Sequence, residues 1–216
     1  MHASGRELTR FCRTAAARAV AIDAKSSVVA DRGRAGKLRW LLASLLACIT
    51  CGALAQPATD AVSLEYAVKA TYLYKLAPFV NWPPDEFATA DAPFQICVAG
   101  TDPFGDFLDK AVAGRGMGAH PFAVRRLESV DGAEDCQILF ISHLPQMTTR
   151  EALAAVGGKP VLTVTDSTAA DAGGIVHFVI DRGRVGFEIN TDAAARNQLT
   201  ISSKLLQLAV AIKAAP

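Results

Sequence analysis

Between Phe94 and Ile189 the chain repeats one pattern: a run of four to six mostly apolar residues, then turn residues, then a stretch with helical spacing or a hairpin turn. The runs are Phe94–Ala99, Phe122–Leu127, Gln137–Ser142, Val161–Val164, Ile175–Ile180 and Val185–Ile189. Runs so short and continuous fit strands covered on both faces. Strands that alternate with helices join in parallel through right-handed crossovers. The expected fold is α/β, a single three-layer domain with a mainly parallel sheet. The last two runs flank Asp181-Arg182-Gly183-Arg184 and predict a C-terminal antiparallel hairpin. In the last run Val185, Phe187 and Ile189 alternate with Gly186, Glu188 and Asn190, which places the hairpin at the sheet edge with one wet face.

The helical stretches carry their own punctuation. Ser63 is the expected cap of a first helix with Leu64, Val68, Tyr72 and Leu76 on its inner face and Glu65–Lys69 as an i,i+4 pair. Pro78 and Pro83-Pro84 end it. Pro103 opens a second helix through Phe104, Phe107, Leu108 and Ala111, and Thr148 or Thr149 opens a third that closes at Gly157-Gly158. Ser202 or Ser203 caps an expected final helix carrying Leu205, Leu206, Leu208, Ala209 and Ile212.

The N-terminal quarter differs in kind. Residues 1–39 hold nine Lys/Arg against three Asp/Glu, and residues 40–216 hold thirteen against eighteen. Arg32, Arg34, Lys37 and Arg39 precede the apolar run Trp40–Thr50, and Ala53-Leu54-Ala55 supplies small residues where a signal peptidase cuts. The expected organisation is a mis-assigned start or a leader extension over 1–36, a signal peptide over 37–55 cleaved after Ala55, a linker over 56–61 and one α/β domain over 62–216. The alternatives are an anchor retained through residues 40–55 and lipidation at Leu45-Leu46-Ala47-Cys48, which resembles a lipoprotein cleavage box. Export implies the periplasm. Cys97 and Cys136 are the two cysteines of the exported part, and an even count in an oxidising compartment suggests one disulfide, with two buried thiols as the alternative. The acidic balance of the exported part argues against nucleic-acid binding, which needs a basic footprint.

Motifs for catalysis are missing. There is no Gly-x-Ser-x-Gly elbow. Gly114-Arg115-Gly116-Met117-Gly118 follows a helix and lacks the Lys-Ser/Thr ending of a phosphate loop, so it is expected to be a turn. His120, His143 and His177 have no partner at metal-ligand spacing. No catalytic residue, metal site or cofactor is expected. Asp102, Ser142, His143 and Asp166 all follow strands, and such ends form one edge of a parallel sheet where ligands sit. They are a possible ligand edge, and a small-molecule-binding module is the second function to weigh. Aromatic residues crowd the first helix and its exit. Among them Tyr66, Tyr74, Phe79 and Trp82 are the expected partner-binding residues, with Trp82 the best placed for exposure.

These segments also carry a resemblance. Tyr66-Ala67-Val68-Lys69-Ala70, Tyr72-Leu73-Tyr74-Lys75-Leu76-Ala77 and Phe79-Val80-x-Trp82-Pro83 resemble the opening of the YfiR family of periplasmic proteins. Ile96-Cys97-Val98-x-Gly100-x-Asp102-Pro103-Phe104-Gly105, Cys136–Ser142, Val161–Asp166, Phe187–Asn190 and Leu199–Leu206 continue it in order. The resemblance implies a compact periplasmic α/β domain with a disulfide between the positions of Cys97 and Cys136. It further implies a repressor that binds the periplasmic sensor domain of an inner-membrane diguanylate cyclase, keeping cyclic-di-GMP and biofilm formation low. A homodimer is a further possible assembly. The family's second, more C-terminal cysteine pair has no counterpart here, since no cysteine follows Cys136.

Overall fold

A computed structural model describes residues 57–84, 86–87, 89–167 and 173–213, with side chains of the first helix described from Val62 onward. The expected leader, the signal peptide and its cleavage site lie outside the described residues. Residues Ala55–Pro216 make one compact unit.

The chain enters helix α1 (Pro57–Leu76), which passes through a 3-10 turn at Ala77–Phe79 into β1 (Val80–Asn81). Then follow β2 (Phe94–Ala99), α2 (Asp106–Val112), β3 (Gly116–Met117), β4 (His120–Leu127), β5 (Ile138–Ile141), α3 (Thr149–Ala155) and β6 (Leu162–Asp166). The hairpin β7 (Val176–Asp181) and β8 (Arg184–Asn190) leads to α4 (Thr191–Arg196), β9 (Thr200–Ile201), α5 (Ser203–Leu206) and β10 (Ala211–Lys213).

One eight-stranded sheet has the order β10-β8-β7-β6-β5-β2-β4-β3. The strands β4, β2, β5, β6 and β7 are parallel to their neighbours in that order, and β7–β8 and β3–β4 pair antiparallel. The α/β class with a mainly parallel sheet is therefore observed. Every residue of β5 and β6 is buried, because helices or loops cover both faces. On one face α1, α2 and the turn before α2 place Leu73, Leu76, Leu108 and Phe104 against Ile96, Val98, Phe140 and Val164. On the other, Ala152 and Val156 of the α3 region join Cys97, Cys136, Leu139 and Ile141. The Cys97–Cys136 disulfide is formed, its Cα atoms 5.9 Å apart, and it ties the interior of β2 to the turn two residues before β5.

Four expectations are corrected. Helix α1 starts at Pro57, inside the stretch expected to be a linker, so Ser63 lies within it rather than capping it. Its inner face is Lys69, Ala70, Leu73, Leu76 and Ala77, while Leu64 is 67% and Val68 37% exposed. The apolar stripe at four-residue spacing thus lies beside the buried face. The final helix is a single turn: Ser202 caps it through the Lys204 N–H, and Ile212 belongs to β10 instead. The hairpin lies one strand in from the edge, since β10 pairs in parallel along β8.

The C-terminal segment is stitched back to the start. Strand β9 pairs antiparallel with β1, and the Ser202 N–H donates to the Phe79 carbonyl at 2.8 Å. Buried Asn197 donates to the Val161 carbonyl and accepts from the Gly158 N–H. Thr148 caps α3 in a reciprocal box with Glu151.

Candidate functional site

The carboxyl ends of β2, β5 and β6 are adjacent, so Asp102, Ser142, His143 and Asp166 do share one edge of the sheet. Their side chains do not converge. Asp102 accepts from the Phe104 N–H at 2.7 Å and pairs with Arg126 at 2.7 Å. Arg126 also reaches Asp109 and the Gly105 carbonyl. These two carboxylates raise the guanidinium's pKa, and Arg126 in turn holds Asp109 below its usual range. The cluster fastens the start of α2 to β4. Ser142 is half-buried and His143 exposed; what they contribute is backbone, the Ser142 N–H donating to the Ala99 carbonyl and the His143 carbonyl accepting from the Thr101 N–H.

Asp166 turns to the α1 side, buried to 1%. It accepts from the Lys69 ammonium at 2.9 Å and from the Tyr66 hydroxyl at 3.0 Å. Lys69 is also 1% exposed, pairs with Glu65 at 2.5 Å and sits 4.4 Å from the Tyr66 ring centroid. Burial alone lowers the ammonium's pKa, but the hydrogen bonds to Glu65 and Asp166 outweigh it and leave Lys69 above its ordinary value. This knot joins one residue from each of two groups expected to act apart: Tyr66 of the partner set and Asp166 of the ligand edge. The Glu65–Lys69 spacing was legible as a surface pair; the third member, nearly a hundred residues on, gave no local signal.

The aromatic set divides. Tyr66 packs edge-on to Phe104, with ring centroids 5.6 Å apart. Trp82 is half-buried, not exposed: it meets Phe94 edge-on at 5.1 Å, and its Nε1 is enclosed with no hydrogen-bond partner among the described residues. Tyr74 and Phe79 do face outward in part. With Pro78, Arg115, Met117 and Phe122 they line an open groove of about 550 Å³, where the Arg115 guanidinium lies 5.3 Å from the Tyr74 ring.

A second surface comes from residues expected to be internal. Leu64 and Val68 of α1, with Ile180 at the end of β7 (48% exposed), flank a groove of about 550 Å³ that Tyr72 and Val185 also line. Apolar side chains this exposed and contiguous mark contact surfaces more often than chance. The four-residue periodicity at Leu64, Val68 and Tyr72 is the signal for it, once Lys69 is recognised as the inward residue.

On the far side of the sheet the His177 ring lies beside Thr165, Nδ1 to Oγ1 at 2.9 Å, and the Thr165 hydroxyl donates to the Gly173 carbonyl. Burial lowers the His177 pKa, with Glu188 opposing and Lys213 adding to the shift. Among the described residues no three of His, Cys, Asp and Glu are placed to hold a metal, and no helix is long and apolar enough to cross a membrane.

Residues 66–210, more than half of the chain, match the family described as YfiR/HmsC-like, and the chain belongs to it. No curated protein matches the chain.

Proposed function

We propose that this member of the YfiR/HmsC-like family is a periplasmic regulatory protein that works by contact. It binds the periplasmic sensor domain of an inner-membrane signalling enzyme, a diguanylate cyclase, and lowers cyclic-di-GMP and biofilm formation. Family membership supports the regulatory class and the compartment, and the disulfide suits an oxidising one. The observation that carries the contact is the exposed apolar strip of Leu64, Val68 and Ile180 on the first helix and the hairpin. Full burial of such a side chain is worth about 1.5–3 kcal/mol, and the exposed part of each leaves its share of that unrealised until a partner covers it.

Repression then follows from differential affinity. A repressor that binds the inactive sensor more tightly shifts the population towards it, and each 1.4 kcal/mol of preference is a factor of about ten. Tyr74 and Phe79 extend the contact on the same helix and its exit; Tyr66 and Trp82 support it from within by fixing α1 to β6 and to Phe94.

Deleting the gene is expected to raise cellular cyclic-di-GMP, and the wild-type protein to restore the low level. A Leu64→Glu/Val68→Glu variant, exported at the wild-type level, is expected not to restore it. Full restoration by that variant would remove the strip from the mechanism.

A further inference from the structure

The parallel strands lie in the order β4-β2-β5-β6-β7, but the chain visits β2 first, steps outward to β4, then crosses back to β5. Consecutive connections leave β2 in opposite directions. In the first, α2 covers the α1 face; in the next two, Ala133 and Ala152 cover the other. Loops therefore part above the carboxyl ends of β2 and β5, the point in an open parallel sheet where a ligand crevice forms.

A crevice of about 610 Å³ lies there. Thr101 follows β2, Glu128, Ser129 and Asp131 follow β4, and Leu144 and Met147 follow β5. Its walls are held by backbone: the Gly100 N–H donates to the Leu127 carbonyl at 2.8 Å and the Thr101 N–H to the His143 carbonyl at 3.1 Å. Gly100 has φ +87°, and a Cβ there would stand 2.4 Å from the His143 oxygen, so only glycine lets the two loops approach.

The lining sets the ligand's chemistry. Leu144 belongs to the buried cluster on that face, Met147 packs against it half-buried, and the two give the crevice an apolar side. Its two charged residues, Glu128 and Asp131, are both acidic. Asp131 accepts from the Ser129 hydroxyl at 2.8 Å, and Glu128 makes no hydrogen bond or ion pair among the described residues. Among the described residues neither arginine of β4 pairs with them: Arg126 is held by Asp102 and Asp109, and Arg125, whose guanidinium passes Gly132, lies 3.7 Å from Asp135. Charge-assisted donors fit such a rim, and a flexible thioether fits a varied apolar body.

We infer that this crevice binds a small organic ammonium ion, its nitrogen at Glu128 and Asp131 and its carbon body on Leu144 and Met147. The site does not depend on the partner surface. It also moves the ligand edge from Asp102, Ser142, His143 and Asp166 to other residues of the loops after β2 and β5 and to the loop after β4.

The test uses the purified protein with phenethylamine, cadaverine and spermidine as probes, and 2-phenylethanol as an uncharged isostere, read by melting temperature and calorimetric titration. A saturable rise in melting temperature with at least one amine is expected, and none with the alcohol. Glu128→Gln/Asp131→Asn is expected to melt like wild type without ligand and to bind the amine at least tenfold more weakly. Met147→Lys, which sets a cation on the apolar side, is expected to abolish binding. The inference is overturned if no amine binds, if the alcohol binds equally, or if the carboxylate variant keeps wild-type affinity.

Discussion

At the scale of single residues the decisive case is Lys69. An ammonium at a helix position facing the core is costly unless paired, and here Glu65, Asp166 and the Tyr66 ring all serve it. Lys69→Met strands Asp166 in the interior and is expected to cost about 3 kcal/mol in urea unfolding. The Lys69→Met/Asp166→Asn double variant is expected to regain part of that loss; equal stability of wild type and single variant would deny the pair its role. Because the folded pKa of Lys69 is raised above 10.5, its contribution is complete at neutral pH and is lost only as pH rises beyond that value. His177 runs the other way. Burial depresses its pKa below 6.5, so the unfolded chain binds more protons as pH falls through 6.5, and stability declines there. A His177→Gln variant is expected to show a shallower acid decline in unfolding free energy. Trp82→Ala, with the ring packed on Phe94, is expected to destabilise the fold by about 2 kcal/mol as well as to weaken partner binding.

At the scale of elements, the six longer strands were legible, whereas the short β1, β3, β9 and β10, with β3 inside the stretch expected to be a glycine turn, and one helix face were not. The run Gln137–Ser142 read as a buried strand because its central residues Ile138–Ile141 carry side chains that all suit a covered sheet. The first helix misled because two apolar patterns overlap on it: Ala70, Leu73, Leu76 and Ala77 inward, and Leu64, Val68 and Tyr72 alongside. Only the tertiary partner of Lys69 decides between them, and periodicity does not contain that partner. The last helix was overestimated for a similar reason. Leu208, Val210 and Ile212 alternate at strand spacing, but Leu205 and Leu206 before them suggested continuation. The disulfide links the interior of β2 to the turn that precedes β5, closing a separation of 39 residues. Its removal by Cys97→Ala/Cys136→Ala is expected to cost about 2–4 kcal/mol. Two free thiols, found by mass spectrometry in protein taken from the periplasm, would show that the bridge is not used.

At the scale of the whole molecule, topology explains what no single motif announced. The order β4-β2-β5-β6-β7 gathers the ends of β2, β4 and β5 into one crevice, and the same sheet presents α1 and the β7–β8 hairpin side by side on one face. The strand-end residues were traceable in the sequence as a set, but their side-chain directions were not, since Asp102 and Asp166 find partners distant in sequence. The central claim is that the outer face of α1 with Ile180 grips a sensor domain. Calorimetric titration of the purified protein against the periplasmic sensor domain of the inner-membrane diguanylate cyclase from the same cell measures this directly. Saturable binding, weakened at least tenfold by Leu64→Glu/Val68→Glu with unfolding free energy unchanged within about 0.5 kcal/mol, is the predicted result. No binding, or the same affinity in the variant, would contradict it.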